Sequence, residues 1–165
     1  MKDLASQLKF APEAQIGVIS DTHGLVRQAA LDALQGAQLI IHAGDIGEKD
    51  VLVTLENIAP VIAVRGNIDL AAWTLSLHMT EVVEASGCSI LVIHDLAQLD
   101  LDPAAAGFQA VVYGHSHQPS VERRNGVLYL NPGSAGPRRF RLPTAVACLS
   151  AKQGAIEAKL VELEI

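Results

Sequence analysis

Ile16-Gly17-Val18-Ile19-Ser20-Asp21-Thr22-His23-Gly24 joins a short apolar run to a turn carrying a carboxylate and an imidazole. Ile16–Ser20 has the length and apolar continuity of a buried strand. In open α/β sheets, ligands sit in the crevice beyond the carboxyl ends of the strands. The arrangement recurs downstream. Ala43-Gly44-Asp45 follows Leu39–His42, and Arg65-Gly66-Asn67-Ile68-Asp69 follows Val61–Val64. His94-Asp95 follows Leu91–Ile93, and Gly114-His115-Ser116-His117 follows Val111–Tyr113. Each block alone is weak. Asp-x-His and Gly-Asp are common turns, Asn67 suits a turn of positive φ, and His94 suits a satisfied core histidine. In order, and each time at a strand end, they form one set.

The segments between these blocks set the architecture. Ala29, Ala30, Ala33 and Leu34 recur at helical spacing within Val26–Leu34. Val51, Leu52, Leu55 and Ile58 make the stripe of a second helix, Lys49–Ile58, which Pro60 stops. Strand–helix–strand–helix–strand order implies parallel pairing through crossovers. Later segments read differently. Met79–Ala85 and Cys88–Ile93 form a hairpin about Ser86-Gly87, and Val121–Arg124 and Val127–Leu130 form another about Asn125-Gly126. Between the hairpins lie a turn or helix at Pro103–Ala106 and the strand Ala110–Tyr113. Thr144–Ser150 and Ala155–Leu163 read as a closing antiparallel pair. These features predict an α/β fold: a four-layer α/β/β/α sandwich with two mixed β-sheets, parallel-rich first and antiparallel-rich second, with helices outside. One domain spans 1–165, with 1–15 as an N-terminal leader whose short helix presents Leu4 and Leu8.

Composition narrows the function. The 165 residues include 12 Lys+Arg against 18 Asp+Glu, a formal charge of −6, and 6 His. Such a chain lacks the cations that a long nucleic acid needs, and aromatics at 4% supply few base-stacking platforms. Half the residues are hydrophobic and 18% are charged, which argues against disorder. Apolar runs such as Val61–Val64 and Ser89–Ile93 fall far short of the roughly 20 residues of a membrane span. Met1–Gln15 has no continuous apolar core of a secretory signal, and Cys88 and Cys148 are too isolated for a C-x-x-C pair. The reading is a soluble cytoplasmic protein with two buried, reduced thiols and no membrane partner.

Asp, His and Asn give a mixed nitrogen and oxygen sphere suited to Mn, Fe, Co, Ni or Zn. Seven such side chains exceed the needs of one catalytic metal. They suit two metals roughly 3.5–4 Å apart that share a carboxylate.

The blocks Ser20-Asp21-Thr22-His23-Gly24, His42-Ala43-Gly44-Asp45, Tyr113–Pro119 and Asn131-Pro132-Gly133-Ser134 resemble those of the calcineurin-like metallophosphoesterase superfamily. They look most like its small bacterial and archaeal phosphodiesterase branch, the YfcE-like or MJ0936-like group. The resemblance implies the metallophosphoesterase fold and two divalent ions, manganese first, with iron, nickel, cobalt or zinc as alternatives. It assigns one metal to Asp21, His23 and His117 and the other to Asn67, His94 and His115, with Asp45 shared. It implies hydrolysis of a small phosphodiester by in-line attack of a metal-bridging hydroxide. Asp45, Asn67 and Asp69 are the catalytic candidates. Family members are often dimers or larger, so the resemblance offers a homo-oligomer as one assembly state.

Two departures bear on this reading. Ile68 stands where the wider superfamily has a histidine thought to protonate the leaving group. Loss of a general acid costs about 10²–10⁴-fold, most for poor leaving groups. Diesters or activated esters are therefore favoured over alkyl monoesters, with Asp69 able to orient a neighbouring group. His94-Asp95-Leu96 replaces the branch's His-Gly-His and reshapes the pocket beside the second metal. Elsewhere, His42 is placed to hydrogen-bond a ligand carboxylate. Amides of Asn131–Ser134, the residue Ser134 and Arg138 after Pro137 are placed toward substrate phosphate. Trp73 and Leu75 are read as a lid or a dimer contact, and His78 as a surface residue. The alternatives are a Vps29-like scaffold without turnover, or a phosphomonoesterase or nucleotide phosphatase of the same superfamily.

Overall fold

A computed structural model describes residues 3–165; Met1 and Lys2 of the leader lie outside the described residues. In chain order the elements are α1 Leu4–Phe10, β1 Glu13–Ile19, α2 Gln28–Ala33, β2 Leu39–His42, α3 Lys49–Glu56 and β3 Val61–Ala63. A 3₁₀ turn at Ala72–Ser76 leads to β4 Thr80–Ala85 and β5 Cys88–Ile93. After a second 3₁₀ turn, Leu96–Gln98, come β6 Ala110–Val112, β7 Ser120–Arg124, β8 Val127–Asn131, β9 Ala145–Lys152 and β10 Ala155–Glu162. They build two five-stranded sheets of order β10-β9-β1-β2-β3 and β4-β5-β6-β8-β7.

The period-2 alternation of strands sorts the apolar side chains into layers. Ile16, Val18, Leu39 and Ile41 of the first sheet meet Ile90, Val92, Val112, Leu128 and Leu130 of the second in one buried cluster. Ile19 and Ile40 point the other way, to Ala30 and Leu34 beside α2 and to Val51 and Leu55 of α3. On the far face of the second sheet, Leu91, Ile93, Val111 and Tyr129 are covered by Leu96, Leu99, Phe108 and Tyr113. The sandwich has its four layers, although the fourth is a 3₁₀ turn and an extended segment rather than an α-helix.

Several expectations need correction. β9 pairs antiparallel with β1, so the closing hairpin extends the first sheet. Each sheet then has two parallel and two antiparallel junctions, and neither type dominates either sheet. β1 begins at Glu13, three residues inside the expected leader. The polar Glu13 and Gln15 around buried Ala14 hide that edge from a search for apolar runs. The leader is also not peripheral: α1 buries Leu8, whose carbonyl accepts the Ser86 amide at 2.7 Å. Cys148 is only half-buried, although both thiols are free, and of the two forms expected at Pro103–Ala106 the chain adopts the turn.

Gly17 lets α2 sit close on β1, because a Cβ there would meet Leu34 Cδ2 at 2.7 Å. Leu34 is itself packed, so its methyl cannot swing away freely. Gly17→Ala is expected to destabilise the fold by about 1–2 kcal/mol. A lower urea midpoint with an unchanged m-value checks this.

Candidate metal centre

The five strand-end turns converge. Asp21, His23 and His117 place one candidate ligand atom each within 4.8 Å of one another, and so do Asp45, His94 and His115. Oδ2 of Asp45 lies 3.7 Å from Nε2 of His23 and 3.4 Å from Nε2 of His94, so one oxygen faces a histidine of each trio. The Asn67 side chain sits with the second trio, 3.0 Å from His94 Nε2 and 3.1 Å from His115 Nδ1. All seven side chains expected as ligands are thus brought together.

Local structure explains the convergence. Asp21, His23, Asp45, His115 and His117 all have positive φ, between 47° and 72°. Such backbone strain in non-glycine residues gathers at functional sites and persists only where the surroundings impose it. Packing imposes it here. The Asp21 amide donates to the Gly44 carbonyl at 3.0 Å, and the His23 amide donates to the Asp45 carbonyl at 3.0 Å. Gly44, at φ 102°, leaves room for His94; a Cβ there would stand 2.6 Å from Nδ1. That nitrogen donates to the Ala43 carbonyl at 2.7 Å, which leaves the Nε2 lone pair aimed at Asp45 and Asn67.

Asp21 is clasped on one oxygen only. Its Oδ2 accepts from the Ser20 hydroxyl at 2.6 Å and from the His115 amide at 3.1 Å. Its Oδ1 is buried without a hydrogen-bond partner, as is His23 Nε2. The Asn67 amide is likewise ringed by lone pairs. Turned over, it would donate to both imidazoles and to both Asp45 oxygens at 3.2 Å. Its oxygen end fits there when a cation shares the same lone pairs. Orphaned acceptors on Asp21 and His23, with the Asn67 oxygen facing the same lone pairs, fit a divalent metal.

Electrostatics agree. Burial works to raise the Asp21 carboxyl, but the His117 ring, the Ser20 hydroxyl and the charge of His94 together hold it below the usual range. Asp45 is also lowered: burial opposes this, and His94 and the Ile68 amide outweigh it. His94 is raised, against its own burial, by Asp45 and Asp21.

Several expected roles change. Asp69 does not reach the cleft. Its carboxylate accepts from the amides of Ile46 at 3.0 Å, Gly47 at 3.1 Å and Gly66 at 2.8 Å, tying the Asp45 turn to the Asn67 turn. Ser134 donates its hydroxyl to the Asp21 carbonyl at 3.0 Å, and the nearby amides of Gly133, Ala135 and Gly136 all have internal acceptors. That loop braces the site through these bonds. Arg138 is exposed and lines a separate hollow with Glu162 and Glu164. Trp73 is half-buried and packs beside the helices, whereas Leu75 is exposed. His78 is exposed as expected and contacts Glu81 at 2.8 Å.

His42 touches no ligand carboxylate. Its Nδ1 accepts from the Gly44 amide at 3.1 Å, so Nε2 carries the proton and faces Thr22 Oγ1 at 2.9 Å. Thr22 passes its own proton to the Ile46 carbonyl at 2.9 Å. His42 therefore fixes the turns that present Asp21 and Asp45. Burial lowers its pKa to about 4, against opposing pulls from Asp21 and Asp69. The unfolded chain binds this proton first as pH falls through 6.5, so folding stability declines from there to about pH 4. The full effect is about 3 kcal/mol. Raised His94 acts only above pH 6.5, where its contribution is lost as pH rises. Urea unfolding from pH 6.5 to 4 is expected to show that slope, and His42→Gln to flatten it.

Residues that sequence reading missed include Ser20 and Asn131. The Asn131 amide nitrogen donates to the Gly114 carbonyl at 3.1 Å and to Ser116 Oγ at 3.0 Å, shaping the turn that carries His115 and His117. The Asn-Pro-Gly-Ser block marked this segment, but nothing local tells which atom acts. Of the two departures, Ile68 keeps a role through its amide, which donates to Asp45 Oδ1 at 3.1 Å, while its side chain is 40% exposed. Asp95 caps Ala97 through Oδ1 at 3.0 Å and brings Oδ2 to 4.0 Å from His115 Nε2.

Residues 15–154 match the model of the calcineurin-like phosphoesterase superfamily domain. The chain is 35% identical over 162 residues to the probable metallophosphoesterase MJ0623 of Methanocaldococcus jannaschii, covering 90% of this chain and 81% of that one. It is 31% identical over 141 residues to the phosphodiesterase YfcE of Escherichia coli, covering 70% and 76%. Among solved structures, Vps29 of Cryptosporidium parvum superposes with a TM-score of 0.74 at 18% identity, over 93% of this chain and 99% of that one. At that identity the likeness is one of fold alone. Among the described residues no helix is long and apolar enough to cross a membrane.

Proposed function

The chain belongs to the calcineurin-like phosphoesterase superfamily, with phosphodiesterases of the YfcE and MJ0936 type among its relatives, and from that premise we propose that it is a dinuclear metal-dependent phosphodiesterase. The observation that carries this reading is the completeness of the ligand set: two trios of lone pairs flank one Asp45 oxygen, with orphaned buried acceptors among them. Asp21, His23 and His117 would hold one cation, and Asn67, His94 and His115 the other, with Asp45 common to both. Manganese is the first expectation, and iron, nickel, cobalt and zinc suit the same ligands. When bound, such cations supply Lewis acidity that activates water and offsets phosphoryl charge.

The chain's own residues set the rest. Ser20 and the His115 amide fix Asp21, the Ala43 carbonyl fixes the His94 tautomer, and the Asp69 carboxylate holds the Asp45 and Asn67 turns in register. The Ile68 side chain cannot protonate a leaving group. Esters with good leaving groups should therefore be preferred, and small ones, since a chain of net charge −6 is a poor partner for a long polyanion. Free thiols at Cys88 and Cys148 fit a cytoplasmic setting.

The manganese-loaded chain is expected to hydrolyse bis(p-nitrophenyl) phosphate at least about 100-fold faster than glycerol 2-phosphate, the lower range for a missing general acid. The opposite ranking favours the monoesterase reading. Metal binding with no turnover of either ester favours the scaffold reading.

A further inference from the structure

The metal centre opens sideways into a hollow of about 490 Å³, of which Asn67 and His94 form one wall. The rest of the lining is mainly apolar and includes Met79, Leu91, Ile93, Leu99 and Leu101. Met79 and Leu101 remain 46% and 42% exposed, so apolar surface stands open to water beside charged ligands. The size and the predominance of apolar surface are those of a small-molecule site, with Thr80 and Gln98 as its uncharged polar members beside Asn67. Besides the expected ligands, three ionisable side chains line it, Arg65 against Asp95 and Asp100. Asp95 is the residue that replaces the branch's glycine after the ligand histidine, and with Asp100 it leaves the lining acidic on balance.

We infer that this hollow receives one ester substituent of the substrate, and that the substituent is uncharged and largely apolar, no larger than a nucleoside. The inference rests on the phosphodiesterase reading and names the substrate class of the same site. An apolar group gains by covering the exposed Met79 and Leu101, with its phosphorus anchored beside Asn67 and His94. A second phosphate or carboxylate on that group would enter a space where two carboxylates oppose one guanidinium. Substrates bearing a further anionic group are therefore poor, and diesters with a flat or aliphatic substituent are good.

The probes are phenylphosphonate and methylphosphonate, which carry a single substituent and are not hydrolysed. The chain has two methionines, Met1 and Met79, so methionine labelled at its methyl carbon gives one reporter inside the hollow. On the zinc-loaded chain, phenylphosphonate should shift the Met79 methyl resonance and methylphosphonate should not. On the manganese-loaded chain, phenylphosphonate should inhibit hydrolysis of methyl p-nitrophenyl phosphate at least about tenfold more tightly than methylphosphonate. Leu101→Trp, which fills the hollow from its rim, should bring that ratio below about twofold. 4-Carboxyphenylphosphonate should bind more weakly than phenylphosphonate. An unmoved Met79 resonance, equal inhibition by the two phosphonates, a ratio unchanged in Leu101→Trp, or tighter binding of the carboxylated ring overturns the inference. The resonance does not depend on turnover, so a chain that hydrolyses no diester but still shifts Met79 loses the functional reading and keeps the hollow.

Discussion

Asp45→Asn is expected to lower kcat/KM for phosphodiester hydrolysis by at least about 10³-fold. One Asp45 oxygen faces a histidine of each trio, at 3.7 and 3.4 Å, so this carboxylate is the charge common to both. An amide at the same place keeps the shape but removes the negative charge that would hold the two proposed cations close together. Metal-based stabilisation of phosphoryl charge is worth several kcal/mol, and each 1.4 kcal/mol is about tenfold in rate. The fold should survive, because an asparagine oxygen can still accept the Ile68 amide that now donates to Asp45 at 3.1 Å. Steady-state kinetics with saturating manganese, beside a melting curve, checks both statements. A variant within tenfold of the parent would remove Asp45 from the centre of the account.

Asp69→Ala is expected to lower stability by about 3 kcal/mol, from three backbone amides left without their acceptor at about 1 kcal/mol each. Asp69 is 3% exposed, so water replaces that carboxylate poorly. For a chain of this size the melting temperature should fall by about 10 °C. Metal affinity should fall with it, by about 10–100-fold, since the turns bearing Asp45 and Asn67 lose their tie. The pH profile of whatever activity remains should keep its shape. A variant that melts like the parent but loses one limb of the pH profile would restore Asp69 as a proton-transfer group.

The contrast between these two aspartates shows what the sequence made legible. The convergence of Asp21, His23, Asp45, Asn67, His94, His115 and His117 was readable because each lies in the turn after a buried strand: β1, β2 and β3 run parallel in one sheet, β5 and β6 in the other, and the turns after both sets meet. The layers were readable for a similar reason: Ile16, Val18 and Ile41 alternate with outward partners, and that period survives in the fold. Asp69, Ser134 and His42 look like site residues because they sit within or beside the same blocks. Each, however, is also turned by a partner 20 or more residues away: Ile46 for Asp69, Asp21 for Ser134, and Thr22 for His42. Whether such a side chain faces the cleft or the turn behind it depends on long-range packing, which no local spacing encodes. The place of β9 beside β1 escaped for the same reason, because pairing between segments so far apart in the chain leaves no periodic trace.

The central claim is that two cations act together in this centre. Its most direct test is a manganese titration of the metal-free chain with bis(p-nitrophenyl) phosphate turnover as the readout. Activity should rise to a plateau at two equivalents of metal per chain. A plateau at one equivalent, or full turnover with no added metal in a chelator-treated sample, would contradict it.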